Sequence, residues 1–131
     1  MAPRLRPEAA RELDGLTLAY LGDAVYELLV RDYLLSKAVE KPAKLHKKAL
    51  ALVSAPAQFE AYQAVASLLT AEEAAVFARG RNAKLSGGKS HDPVAHCHAT
   101  GLEALFGYLH LRGETERLEA LFDAITGELE R

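Results

Sequence analysis

The sequence predicts an all-α fold on three observations: helix formers dominate, β-branched residues are scarce, and apolar side chains recur at helical spacing throughout. At 131 residues the chain is the size of one ordinary domain, so a single folding unit over residues 1–131 is expected. A first long helix is predicted over roughly 11–37. Pro42, well placed in a first helical turn, opens a second that runs through Leu52 or Val53. Ser54 and Pro56 start a third, to about Leu69. Thr70-Ala71-Glu72-Glu73 has the form of a capping box, with Thr70 as N-cap and Glu73 reaching back, so a fourth helix runs from 71 to about 84. The paired glycines, small polar residues and proline of Leu85–Pro93 mark the one substantial loop. A fifth helix follows from about 94 to 112 and stops near Gly113, and a last amphipathic helix fills 114–130.

Half of the residues are hydrophobic and a quarter are charged; no apolar run has transmembrane length, and the N-terminus lacks a signal-peptide core. The expectation is a cytoplasmic protein without a membrane partner. A single cysteine, Cys97, cannot form an internal disulfide, which fits a reducing compartment. The net charge of −2 argues against an anionic partner, but its distribution argues for one. Residues 41–59 carry Lys41, Lys44, Lys47 and Lys48 with no acid, and residues 74–91 carry Arg79, Arg81, Lys84 and Lys89 with no acid. All eighteen acids lie elsewhere, so basic charge is gathered in two places.

The first helix holds a second signal. Asp23, Glu27 and Arg31 fall at i, i+4 and i+8, a narrow polar stripe down an apolar rod whose flanks need cover from the fold or from a second copy of the chain. A Glu27–Arg31 salt bridge accounts for two of the three. Asp23 is different, because an ionised carboxylate in low dielectric costs several kcal/mol and calls for a cation or hydrogen bonds. Gly22 precedes it, and a glycine inside a helix costs about 1 kcal/mol relative to alanine unless another backbone or a ligand approaches closely. The fifth helix repeats the device, with Glu103 alone among small and apolar residues between Gly101 and Gly107. Two helices that cross closely with Asp23 and Glu103 converging are predicted. A divalent cation makes such a convergence favourable, and Mg²⁺ suits it because it takes one or two protein carboxylates and keeps waters for a substrate phosphate. Phosphodiester hydrolysis is the matching chemistry; two acids held by amides or arginine are the alternative.

Leu21-Gly22-Asp23-Ala24-Val25-Tyr26-Glu27-Leu28, followed by Arg31-Asp32-Tyr33-Leu34, resembles the signature helix of the ribonuclease III family, and Leu102-Glu103-Ala104-Leu105-Phe106-Gly107-Tyr108 resembles its second acidic helix. Leu45-His46-Lys47-Lys48, Val53-Ser54-Ala55 and Arg79-Gly80-Arg81-Asn82-Ala83-Lys84 are similar to segments of the short form of that family, Mini-ribonuclease III, which is the nuclease domain without a double-stranded-RNA-binding domain. The resemblance implies an all-helical homodimer that cuts double-stranded RNA with Mg²⁺, or Mn²⁺ in its place, to 5′-phosphate and 3′-hydroxyl ends. It further implies trimming of the large-subunit (23S) ribosomal RNA precursor. Asp23 and Glu103 take the positions of the two catalytic, metal-binding acids. Ala19 and Thr100 stand where longer members carry a glutamate and an aspartate, so one firmly held metal is expected. These two losses also admit a rival, a non-catalytic RNA-binding or ribosome-associated module on the same fold, against which the retained acids argue.

The candidate RNA contacts are His46, Lys47 and Lys48 in the second helix, and Arg79, Arg81, Asn82, Lys84 and Lys89 around the end of the fourth. Lysines there act as point charges on phosphates, which suits A-form duplexes read by shape. Against this, cations also favour a helix C-terminus on their own account, and a lysine face is often merely solvated. His91, His96, Cys97 and His98 form one further cluster, but adjacent helical positions project in different directions, which disfavours zinc.

Overall fold

Asp14 sets where the first helix begins. In the computed structural model, which describes residues 2–83 and 92–131, its carboxylate accepts the Thr17 backbone N–H at 2.7 Å and caps α1 (Gly15–Lys37). That bond holds the Asp14 carboxyl below its ordinary pKa. The expected start near residue 11 is therefore corrected. Pro7–Glu12 instead forms a 3-10 turn, and the Arg79 guanidinium donates to the carbonyls of Arg11 and Leu13 just after it, at 3.2 and 3.0 Å. Those carbonyls are thereby satisfied without an α-helical ladder.

The next elements follow their local signals. Pro42 opens α2 (Pro42–Val53), and Ser54 caps α3 (Ala55–Val65) by accepting the Ala57 N–H at 3.3 Å. The third helix stops short of Leu69; Ala66–Leu68 tightens into a 3-10 turn. At the start of α4 (Ala71–Arg81) both halves of the capping box form, Glu73 N–H to Thr70 Oγ1 at 3.1 Å and Thr70 N–H to Glu73 Oε1 at 2.9 Å. Asn82 ends that helix, earlier than expected, and residues 84–91, including Lys84, Lys89, His91 and most of the expected loop, lie outside the described residues. Asp92 then caps α5 (Pro93–Leu111), and Gly113, at φ +69°, stops it. There the Gly113 N–H donates to His110 and the Glu114 N–H to Leu109, the paired bonds of a Schellman end. The last helix, α6, spans Thr115–Leu129.

The fifth helix is apolar nearly all round and forms the centre of the molecule, with Leu102, Ala104, Leu105 and Phe106 fully buried. Helices α1, α3, α4 and α6 pack about it. Tyr26 and Phe122 meet edge-to-face at 5.9 Å, and Tyr26 meets Phe106 at 5.2 Å, joining α1, α5 and α6. Among the described residues no helix is long and apolar enough to cross a membrane.

Glycines set the two closest crossings. A methyl on Gly22 would overlap the Glu103 carbonyl oxygen and lie 2.8 Å from the Gly107 nitrogen, so α1 touches α5 backbone to backbone. Gly80 and Gly101 do the same for α4 on α5, where a methyl on Gly80 would meet Ala104 Cβ at 2.6 Å. Gly101 thus serves the α4 contact rather than the acid pair.

Glu73 has a second task that its capping role conceals. Its side chain is almost fully buried, and both of its oxygens accept from Arg117 of α6 at 2.8 Å, while Arg117 also donates to the Leu68 carbonyl at 2.7 Å. This fork holds the Glu73 carboxyl below its usual range. Arg117→Met is expected to cost about 2–3 kcal/mol, because it leaves a buried carboxylate with only its capping bonds. Urea titration at pH 7 reads the loss; the deficit should shrink as the pH falls and Glu73 takes up a proton.

Candidate active site

Asp23 and Glu103 meet where α1 crosses α5, as the glycine pattern predicts, but the burden of burial is reversed. Asp23 is exposed in the single chain, whereas Glu103 is half-buried. Burial first, and then the hydrogen bond and the charge of Asp23, push the Glu103 carboxyl up to about 8. Gln58 opposes this by donating from Nε2 to Glu103 Oε2 at 3.4 Å. No lysine or arginine is paired with either acid among the described residues.

Gln58 escapes the sequence reading, although a signal was present. Gln58, Ala61 and Val65 are the buried positions of α3, at i, i+3 and i+7, so a polar residue interrupts an otherwise apolar stripe. Glu27 lies one turn beyond Asp23 and pairs with Arg31 at 3.6 Å, which explains the rest of the polar stripe without a ligand.

Two carboxyls in contact, with no lysine or arginine paired with them among the described residues, fit a divalent ion with few protein ligands. No group of three His, Cys, Asp or Glu converges among the described residues, and such a site suits Mg²⁺, which keeps most of its waters, better than a closed zinc site. The positions at which longer family members resemble a richer cage are closed here. Ala19 is buried, and the Thr100 hydroxyl is turned into its own helix, donating to the His96 carbonyl at 3.0 Å.

The basic residues divide. Arg79 is a clamp on the N-terminal turn, through the carbonyls of Arg11 and Leu13. Lys48 pairs with Glu40, as does Lys44 at 2.7 Å, so an acid just outside the basic segment neutralises part of it. His46 and Lys47 are exposed on α2. Arg81 lies over the Phe77 ring at 5.9 Å and donates to Asn82 Oδ1 at 3.1 Å, and both follow Gly80, which rests on α5 between Thr100 and Ala104. The end of α4 is thereby set within a turn of Glu103. His98 is held by the Val94 carbonyl at 2.7 Å and lies 4.6 Å from the Phe59 ring, while Cys97 Sγ contacts the same carbonyl.

A helical fold that brings a glutamate and an aspartate together at a glycine crossing fits the class of helical nuclease domains. Residues 16–114 match the family Ribonuclease III domain, and the chain belongs to the ribonuclease III family, as one of its endoribonucleases. Within it, the chain is similar to Mini-ribonuclease 3 of Enterococcus faecalis, 47% identical over 116 residues that cover 86% of this chain and 88% of the relative. Mini-ribonuclease 3 of Symbiobacterium thermophilum is 46% identical over 120 residues, covering 91% and 92%. The crystal structure of a Fusobacterium nucleatum protein superposes with a TM-score of 0.80 at 31% identity, covering 92% of this chain and 98% of that one.

Proposed function

We propose that the chain hydrolyses double-stranded RNA with Mg²⁺, or Mn²⁺ in its place, leaving 5′-phosphate and 3′-hydroxyl ends, and that its natural substrate is the paired stalk of the large-subunit (23S) ribosomal RNA precursor in the cytoplasm. The observation that carries the reading is the Asp23–Glu103 pair, two carboxyls in contact with no cationic side chain paired with them among the described residues. The ribosomal substrate rests on the kinship with Mini-ribonuclease 3. A divalent ion held there supplies, when bound, an acidified water and positive charge for the scissile phosphate and the leaving oxygen. Glu103 must release its proton to serve as a ligand, and Gln58 holds one of its oxygens in place. The backbone contact of Gly22 with Glu103 fixes the spacing of the two acids.

Cleavage of a defined duplex should require Mg²⁺, cease with chelator, and be lost in Asp23→Asn and Glu103→Gln while duplex binding persists. If the wild-type protein binds the duplex and leaves it intact in Mg²⁺ and Mn²⁺ alike, the non-catalytic RNA-binding reading takes its place.

For RNA, His46, Lys47 and Asn82 are exposed candidates among the described residues, Arg81 is half-buried against Phe77 and Asn82 at the end of α4, and Arg79 and Lys48 have protein partners. Arg81→Ala should weaken duplex binding and lower the slope of log K against log salt by about 1. An unchanged slope removes Arg81 from the interface.

The active form is proposed to be a homodimer. Leu16, Tyr20 and Leu28 on one side of α1 are 39, 84 and 62% exposed, an apolar stripe beside Asp23 that the single chain leaves uncovered. Tyr20→Glu is expected to raise the dimer dissociation constant at least about a hundredfold, the cost of one uncompensated charge in an apolar contact. Sedimentation equilibrium measures it.

A further inference from the structure

We infer that the cavity between α1, α3 and α6 is a binding site for a small aliphatic diamine or polyamine, a ligand distinct from the RNA and from the ion at the acid pair. The cavity has a volume of about 460 Å³, the scale of a small-molecule site. Three of the five α3 residues that line it are alanines, Ala57, Ala61 and Ala64, which leave room across from Phe122 and Ile125 of α6.

Its lining selects a ligand class. Glu60 of α3 and Glu128 of α6 place one carboxylate on each of two walls, and no lysine or arginine lines the cavity, so phosphates and nucleic acid are disfavoured. Glu60 has no hydrogen-bond or ionic partner among the described residues, and Glu128 has only an exposed pair with Arg131 at 2.9 Å. The rings of Tyr26, Tyr33 and Phe122 between them form an apolar wall that would cover a methylene chain, and the Lys37 ammonium already lies 5.4 Å from the Tyr33 centroid. A bare metal ion is a poor match, since no three oxygen, nitrogen or sulfur ligands converge among the described residues.

Tyr26 supplies an independent observation. The residue is only 2% exposed, it lines the cavity, and its hydroxyl makes no hydrogen bond among the described residues. That oxygen is not sealed from solvent and lies within electrostatic reach of Glu103, so an ammonium N–H in the cavity would take the place of water on it.

Cadaverine is the probe, titrated calorimetrically into RNA-free protein at constant ionic strength, with pentylamine and NaCl as controls. One molecule per chain is expected, bound more tightly than pentylamine. Glu60→Gln should weaken it at least about tenfold, the range of a hydrogen bond to a charged group. Tyr26→Phe should weaken it about three- to tenfold. Ala61→Leu, which fills the cavity, should abolish binding in a chain whose circular dichroism and melting show it folded. Binding that is absent in the wild type, or equally strong in Glu60→Gln and Ala61→Leu, overturns the site; the latter result is the mark of unspecific counterion uptake. The Glu60 variant lies on the protein surface, so the test does not depend on Ala61→Leu folding. None of these readouts depends on cleavage.

Discussion

Glu103→Gln is expected to silence cleavage and, in the same molecule, to make the metal-free chain more stable at pH 8. With Glu103 in its proposed role as a metal ligand, its loss removes several kcal/mol of charge stabilisation from the transition state, so a fall in cleavage of about a thousandfold or more is expected. The gain in stability has a separate origin. The Glu103 carboxyl is raised from an ordinary value of 4.5 to about 8, chiefly by burial and then by Asp23. A folded-state value above the unfolded one means that the native chain binds the extra proton between these limits. The stability contributed by this group is therefore complete below about 4.5 and is lost as the pH rises towards and through 8. Glutamine keeps the shape of the protonated acid and cannot ionise. After discounting for the partial exposure of the site, the variant should exceed the wild type by about 2–3 kcal/mol at pH 8 and match it near pH 5. Thermal melts in chelator across that range measure the difference. Adding Mg²⁺ should stabilise the wild type by mass action and leave the variant unchanged. Parallel stability profiles for the two proteins would show that Glu103 is an ordinary surface acid.

The cost of keeping two carboxyls together falls on Glu103 rather than on Asp23, and sequence alone misplaced it. The close crossing was legible in Gly22 and Gly107, because a helical glycine without a turn to make implies a neighbour in contact. Which of the two acids is buried was not legible, since that depends on α3, whose Gln58 reaches Glu103 from the far side of the chain. Signals that act within a few residues were readable: the Thr70–Glu73 box, the Ser54 cap and the Gly113 stop all form. Signals that a distant partner overrides were not. Arg79 reads as a free cation at a helix end until its carbonyl partners, more than sixty residues away in sequence, are seen. Lys48 reads as part of an acid-free run until α2 folds it back onto Glu40. Charge counts report what a segment carries, while partners decide how much of that charge faces solvent.

Gly22→Ala is expected to cause the largest loss of stability of any single methyl in the molecule. Elsewhere in a helix this exchange is favourable by about 0.5–1 kcal/mol, and Gly127 of α6, where an added methyl meets nothing within 4 Å, should show that gain. At Gly22 the methyl would overlap the Glu103 carbonyl oxygen and crowd the Gly107 nitrogen, both of them backbone atoms inside a buried helix. No rotamer change can relieve a backbone clash, so α1 must lift away from α5 along their contact. The lift loosens Leu18 and Tyr26, whose side chains are at most 2% exposed. A penalty of at least about 3 kcal/mol is expected, the upper range for overpacking. Gly107→Ala, which would crowd the Leu18 carbonyl from the opposite side of the same contact, should behave alike. The test also separates architecture from chemistry. Should the fold absorb the methyl by a shift of about 1 Å, the spacing of Asp23 from Glu103 changes with it, and cleavage should fall about a hundredfold in a chain that still melts cooperatively. A Gly22→Ala variant that melts and cleaves like the parent would mean that the crossing sets neither the core nor the acid pair.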